Sequence, residues 1–394
     1  MKNRLYSKID YVLKHHAWIN RLFRSLMNSF MRIWGLFVST DEKMVLFSAL
    51  GCKYNDSPRA IYEYMLKQSR FKGYRMVWAL ENPDTEIIGS PMKVRVDTLA
   101  YFRLTLKAHY WITSVNVERG LRYKKKDCIY LNTWHGCSLN AVGNDVPGRN
   151  DYDFSHLNFF CYESEFHKKV LMRSFNAPES IMLASGLPRN DALYHVTWED
   201  VEKKKKKLGL PPGKKVILYV PTWRDSDDHG KTYSLKPPIH IEKWESELKD
   251  DYVILFRTHH YTTQLLGIEF NDFVRDYSSY PDINDLFFVS DLLISDYSSC
   301  ITDFSILERP VICFAYDYQV YAKRRHLNID FEKEMPSGVL QTEDEVIAHI
   351  QHLDYPEECV KTRDMIKNKF TYIGGHATEI CVERVFGTKK EVDN

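Results

Sequence analysis

No CxxC pair occurs among the eight cysteines, which stand singly at Cys52, Cys128, Cys137, Cys161, Cys300, Cys313, Cys359 and Cys381. Their spacing excludes a zinc ribbon or dithiol motif, and several lie inside apolar runs such as NFFCY and PVICFAY, as buried reduced thiols do. No apolar stretch reaches the length of a membrane-spanning helix. The first residues, MKNRLYSKIDYVLKHH, lack the continuous apolar core of a signal peptide. No GxGxxG or Walker loop stands between an expected strand and helix. The charge balance, 54 Lys+Arg against 53 Asp+Glu, leaves no global attraction for nucleic acid. These absences predict a protein of the cytoplasm, or one attached to a membrane from that side.

What is present is an ordinary globular mixture, 44% hydrophobic and 27% charged, too long for one core at 394 residues. Two domains are expected. The 14% aromatic content suits dense cores and stacking surfaces alike. Charge is unevenly placed: residues 1–40 carry seven basic side chains against one acidic, a net +6, so the remainder carries −5. In the same segment Ile19, Leu22, Phe23, Leu26, Phe30, Trp34 and Phe37 recur at helical spacing, with Asn20, Arg21, Arg24, Asn28 and Arg32 mostly opposite. A basic amphipathic helix of this kind either lies in an anionic membrane surface or docks on the protein's own core.

Beyond residue 40 short apolar runs alternate with helical patterns. Strands are predicted at Met44–Ala49, Arg75–Leu80, Tyr110–Thr113, Cys128–Asn132 and Asn158–Tyr162, with helices at Pro58–Lys67 (capped at Ser57) and Thr98–Lys107. The pattern restarts after a turn at Gly209–Gly213, with strands at Lys215–Val220, Tyr252–Arg257, Asp291–Ser295 and Pro310–Phe314. Helices at Glu242–Lys249, Asn284–Val289 and Ser299–Leu307 separate them, and the lysine run Lys203–Lys207 reads as a solvated helix face. Such alternation predicts two parallel, helix-covered sheets whose ligand sites are the loops at the strand carboxyl ends.

Four of those loops carry unusual chemistry. Asn132–Gly136 (NTWHG) puts the His135 imidazole on a tight turn, as a general base or as a structural histidine. Pro221–Asp225 (PTWRD) offers Thr222 and Arg224 to a phosphate, unless Arg224 pairs with Asp225. Arg257–His260 (RTHH) places a cation and an imidazole where a leaving phosphate could be held, or is a polar surface loop. Ser295–Ser299 (SDYSS) opens a helix with small hydroxyl residues, suited to a phosphate or to an ordinary N-cap, with Asp303 one turn on.

In order, the segments FSALGCKYNDSPRAIYEY, NTWHG, GLPRND, YVPTWRD, RTHH and SDYSSCITDFSILERPVICFAYD resemble the CDP-glycerol glycerophosphotransferase family, the teichoic-acid and capsule polymerases and primases, from about Phe47 to about Asp317. The resemblance implies a GT-B fold, an α/β architecture of two Rossmann-like domains facing across a cleft. It implies an amphipathic membrane-associated segment at 1–40, an acceptor domain at 41–195 and a donor domain at 196–394. The implied reaction moves glycerol phosphate or ribitol phosphate from a CDP-alditol to a hydroxyl of a lipid-linked acceptor, releasing CMP at the cytoplasmic face of a bacterial membrane. By the same resemblance His135 and His259 are catalytic, Arg257, Ser298, Ser299, Asp303, Thr222 and Arg224 hold the donor, and Gly136, Asn140 and Asp145 lie on the acceptor side. Gly186, Pro188, Arg189, Asn190 and Asp191 match a turn between the domains to which no chemistry is assigned. Cationic side chains and a helix start can do the work of Mg²⁺, so neither a metal nor a cofactor is called for. The expected partners are the CDP-alditol, the lipid-linked polymer and an anionic membrane surface, and no nucleic acid.

Departures from the family pattern bear on the acceptor. After WHG the family continues as TPLKxxGKD, whereas this chain reads CSLNAVGND, with Asn140 and Asn144 in place of two lysines. Its terminal DGxAS is GGHAT here, with Gly374 in place of Asp. Two other classes remain open at this point: a GT-B glycosyltransferase using a nucleotide sugar, which would release a nucleoside diphosphate, and a non-catalytic envelope scaffold.

Overall fold

The computed structural model describes residues 17–146, 149–222, 224, 234–235, 237–258, 264–265, 268–370 and 373–387. His259, His260, Trp223 and Asp225 lie outside them, as do the basic side chains before residue 17. The chain divides into two compact units: Met1–His135, Asp151–Cys161 and Cys381–Asn394 in the first, Gly136–Asn150 and Tyr162–Ile380 in the second.

The first sheet has seven strands: β1 (Asp41–Ser48), β2 (Arg75–Leu80), β3 (Met92–Arg95), β4 (Ala108–Thr113), β5 (Ile129–Asn132), β6 (Phe159–Tyr162) and β7 (Met182–Ala184). They run in the order β3-β2-β1-β4-β5-β6-β7, and the pairs with defined register are parallel. Central β1 is buried continuously from Met44 to Ser48, as a strand covered on both faces must be. Phe47 stacks on Trp78 at 5.4 Å, with Tyr62 edge-on to both. The helices of this part of the chain are α1 (Ala17–Leu36), α2 (Asp56–Leu66) and α3 (Leu99–Lys107), of which α2 and α3 pack on the sheet. Thr98 caps α3 by accepting from the Tyr101 N–H. Helix α2 starts earlier than expected: its N-cap is Asn55, and Ser57 is buried in the first turn.

Helix α1 is built the opposite way to a soluble amphipathic helix. Its polar side meets the protein: Asn28 Oδ1 accepts from the Arg122 N–H, the Arg32 guanidinium donates to the Arg122 carbonyl, and Arg24 pairs with Asp151. Met31 and Gly35 are the buried members of the described helix. The apolar stripe faces outward, with Trp18 at 69%, Leu26 at 62% and Ile33 at 58% exposure, joined by Leu22, Phe30 and, just past its end, Phe37. No helix among the described residues is long and apolar enough to cross a membrane.

The second sheet runs β12-β10-β8-β13-β14, parallel throughout. Its strands are β8 (Lys215–Val220), β10 (Tyr252–Phe256), β12 (Val274–Asp276), β13 (Leu292–Ser295) and β14 (Val311–Cys313), while β9 (Ser234–Leu235) and β11 (Gln264–Leu265) pair separately. Side-chain alternation splits its interior in two: Val216, Leu218 and Leu293 enter one core, Ile217, Tyr219 and Ile294 the other. Helices α4 (Glu165–Phe175), α5 (Trp198–Lys207), α6 (Ile241–Leu248), α7 (Ile283–Val289) and α8 (Cys300–Ser305) follow in chain order, and α9 (Ala377–Phe386) closes the described chain. The polar edge strands β3 and β12 escaped the sequence reading because neither has a continuous apolar run.

The turn Pro188–Tyr194 fixes the start of α9. Both oxygens of Asp191 accept backbone N–H bonds, from Ala377 at 2.8 Å and Thr378 at 2.7 Å. Asp191→Ala is expected to cost about 1–2 kcal/mol, read as a lower urea midpoint with an unchanged m-value.

Candidate active site

The residues after β5 form a tight, over-determined turn. Asn132 Oδ1 accepts from the Trp134 N–H at 2.8 Å, and the Thr133 N–H donates to the Thr113 carbonyl. Trp134 takes a left-handed backbone, φ 53°, which a bulky residue adopts only when its surroundings hold it there. Within Tyr130–Leu139 every residue is buried except His135. The His135 ring lies against Trp134, centroids 4.1 Å apart, and its Nδ1 is 2.8 Å from the Ser114 carbonyl. A carbonyl only accepts, so Nδ1 carries the proton in the neutral ring and Nε2 is the basic nitrogen. That is the tautomer a general base requires.

Gly136 follows with φ 142°, and a Cβ there would lie 2.5 Å from Ser299 Oγ and 3.2 Å from Arg189 Nη2. Only glycine allows this approach. Asn140 donates its amide to the Tyr297 carbonyl at 3.0 Å, tying the same loop to the SDYSS segment. Asp145 turns elsewhere: its carboxylate accepts from Arg173 Nε and Ser174 Oγ on α4. Burial pushes Asp145 upward, but those two hydrogen bonds outweigh it and hold the carboxyl below its ordinary range.

In the run Leu292–Ser305 every residue is buried except Ser298 and Ser299. Ser298 Oγ accepts from the Cys300 N–H at the first turn of α8, while Ser299, the N-cap residue, makes no side-chain capping bond. Asp303 is buried behind them, its two oxygens taken by Arg189 Nη2 and Asn190 Nδ2, each at 2.6 Å. Arg224 is enclosed rather than open. It makes a two-pronged pair with Asp317 at 2.7 and 2.9 Å, approaches Asp296 at 3.0 Å, donates to the Thr222 carbonyl, and sits about 5 Å from the rings of Tyr297, Tyr316 and Tyr321. Burial works against its charge, but the two carboxylates more than compensate and raise its pKa. Thr222 donates its N–H to Asp296, while its hydroxyl has no partner among the described residues.

Arg257 differs from Arg224. Its guanidinium donates to the carbonyls of Tyr277 and Tyr280, and among the described residues no carboxylate forms an ion pair with it. Burial lowers its pKa, with Asp282 opposing. A half-buried cation held by neutral acceptors is disposed to take an anion.

Arg189, Asn190 and Glu163 are the residues that sequence reasoning missed. The first two belong to the GLPRND turn left without chemistry, and their partner Asp303 is more than a hundred residues away. Glu163, at the end of β6, is 1% exposed. Burial pushes its carboxyl up to about 8, and Asp303 adds to the rise while Arg189 opposes it. No local pattern marks it, since one acid after a strand is common.

Comparison with known proteins places this geometry. The sequence model of the CDP-Glycerol:Poly(glycerophosphate) glycerophosphotransferase family matches residues 29–387. The chain belongs to this family. It is 34% identical over 372 residues to a teichoic acid poly(glycerol phosphate) polymerase of Staphylococcus epidermidis, covering 89% of this chain and 51% of that one. A teichoic acid glycerol-phosphate transferase of Staphylococcus aureus is 29% identical over 88% of this chain and 93% of its own. The chain thus spans about half the length of the first of these relatives. Among solved structures, that of the wall teichoic acid polymerase TagF superposes with a TM-score of 0.78 at 27% identity, covering 95% of this chain and 99% of that one. A form of TagF was also soaked with CDPG. The GT-B class expected from the resemblance is therefore the fold of this chain, seen as two Rossmann-like α/β units.

Gly136→Ala tests the close approach. The substitution is expected to lower stability by about 1–3 kcal/mol, seen as a drop in melting temperature. Gly136→Ala combined with Ser299→Gly should recover part of it, because the clash partner is gone.

Proposed function

We propose that this family member transfers an alditol phosphate, glycerol phosphate or ribitol phosphate, from a CDP-alditol to a hydroxyl of a lipid-linked teichoic-acid or capsule-type acceptor. The observation that carries the reading is His135: the one accessible side chain in a buried strand-end turn, with Nδ1 committed to a carbonyl and Nε2 left basic. Relatives named for glycerol-phosphate and ribitol-phosphate polymerisation support the substrate class.

In this reading Nε2 of His135 takes the proton of the acceptor hydroxyl as its oxygen attacks the alditol-side phosphorus in line. The new P–O bond forms as the bond from that phosphorus to the bridging oxygen of the pyrophosphate breaks, and CMP leaves with that oxygen and its electron pair. The negative charge gathered on the leaving phosphate needs a cation in a partly dry site. Arg257 is suited to that role because, among the described residues, it has no carboxylate partner, and Ser298 and Ser299 are the accessible hydroxyls of the proposed set. Arg224, Thr222 and Asp303 then shape the donor loops, and His259 is assigned to the same phosphate by family resemblance. Gly136, Asn140 and Asp145 belong to the proposed acceptor side. The functional division proposed is 41–195 for the acceptor and 196–394 for the donor.

We also propose attachment to the cytoplasmic face of an anionic membrane through α1. Its outward apolar stripe has Trp18, Leu22, Leu26, Phe30 and Ile33 in water unless something apolar covers them, at a cost of about 25 cal/mol per Å² exposed.

Two experiments test these readings. Purified protein given a lipid-linked acceptor should release CMP from CDP-glycerol or CDP-ribitol, and His135→Ala should lower kcat at least about a hundredfold. Full turnover by His135→Ala would sink the general-base assignment, and release of a nucleoside diphosphate from a sugar nucleotide would replace the donor. Separately, Leu26→Glu with Phe30→Glu should abolish co-sedimentation with anionic liposomes while leaving the fold intact by circular dichroism. Unchanged sedimentation would remove α1 as the membrane element.

A further inference from the structure

Behind the strand-end loops, three side chains of unlike chemistry converge inside the second unit. Cys137, Glu163 and His167 are all buried, and one ligand-capable atom of each lies within 4.8 Å of those of the other two. They come from three segments: Cys137 from the loop after Gly136, Glu163 from the end of β6, and His167 from the first turn of α4, where Ser164 caps its N–H. Glu163 and His167 stand four apart, but Cys137 comes from a separate loop, so no local motif contains all three.

In its ionised form Glu163 needs compensation in such a place. Glu163 Oε1 has no hydrogen-bond partner among the described residues. His167 Nδ1 lies 3.9 Å from it, beyond hydrogen-bond reach. That separation is near what two ligands on one tetrahedral ion show, about 3.3 Å when each bond is about 2.0 Å. The neighbouring cation, Arg189, is already paired with Asp303. A thiolate, a carboxylate and a neutral imidazole around a divalent ion sum to zero, which leaves no uncompensated charge in the interior.

We propose that Cys137, Glu163 and His167 form a binding site for a divalent transition metal of the zinc class. The donor set of one sulfur, one nitrogen and one oxygen selects Zn²⁺ or Co²⁺ over Mg²⁺ or Ca²⁺. Three protein ligands leave a fourth position to water. The ion braces the chain just beyond the His135–Gly136 turn by joining Cys137 to the end of β6 and the start of α4. Its role is structural, and the proposal does not depend on the identity of the donor.

Because the cluster is enclosed, metal enters during folding, so the test begins in the growth medium. Full-length protein is expressed with added ZnCl₂ or CoCl₂, passed over a sizing column in chelator, and its metal measured by mass spectrometry. About one ion per chain is expected, with a cobalt–thiolate charge-transfer band in the near ultraviolet for the cobalt form. Cys137→Ser and His167→Gln should each lose the band and most of the metal. Glu163→Gln tests the third ligand where either of those fails to fold. Metal below about a tenth of an ion per chain in folded wild-type protein from both media would overturn the proposal. So would unchanged metal content in the folded variants, which would place the ion on other histidines.

Discussion

The buried pair between Arg189 and Asp303 ties the turn after β7 to the start of α8 in the second unit. Asp303 sits one turn into α8 and receives both Arg189 and Asn190, so a single carboxylate joins that helix to the turn after β7. The Arg189 guanidinium lies against the bare Cα of Gly136, which in turn packs on Ser299. Removing one member of a buried pair costs about 3–5 kcal/mol, because its partner stays charged in a dry place. Four residues from three segments far apart in sequence therefore meet: the glycine lacks the Cβ that would strike Ser299, and the arginine beside it needs the acid one turn further along the helix.

Helix α1 obeys a different constraint. Backbone and side-chain hydrogen bonds at Arg122, with the Arg24–Asp151 pair, hold its polar side to the first unit. The apolar residues are then forced outward by the 3.6-residue period, since they occupy the opposite side. A sequence reading that assigns the apolar stripe to the interior would invert this helix. What decides its orientation is the set of polar partners at residues 122 and 151, which no window of helical periodicity contains.

Much of the fold was legible in the residues. Runs such as KVILYV, DYVILF and DLLI are strand cores, and nothing else satisfies short, fully apolar segments between helical patterns. The family resemblance carried the rest of the architecture. The site was legible in part: the accessible residues of two buried runs are the expected His135, Ser298 and Ser299. Partners were not legible. Arg224 has Asp225 beside it in sequence but binds Asp317, 93 positions downstream, and the Arg189 and Asn190 of an unassigned turn hold Asp303. Side-chain pairing in a parallel α/β fold joins the ends of non-adjacent strands, so the distance along the chain carries no information about it.

That pairing sorts the candidate cations by use. Arg224 meets Asp317 and Asp296, and Arg189 meets Asp303, so the positive charge of each is already balanced by a carboxylate at contact distance. An arriving phosphate would have to compete with those carboxylates for either one. Arg257 is held by two peptide carbonyls, which fix its direction without cancelling its charge. Neutral acceptors orient a guanidinium at little electrostatic cost to the next anion, and partial burial strengthens the attraction that remains. Of these three arginines, Arg257 alone combines a fixed geometry with no carboxylate at contact distance among the described residues, which is what the proposed stabilisation of a departing phosphate demands.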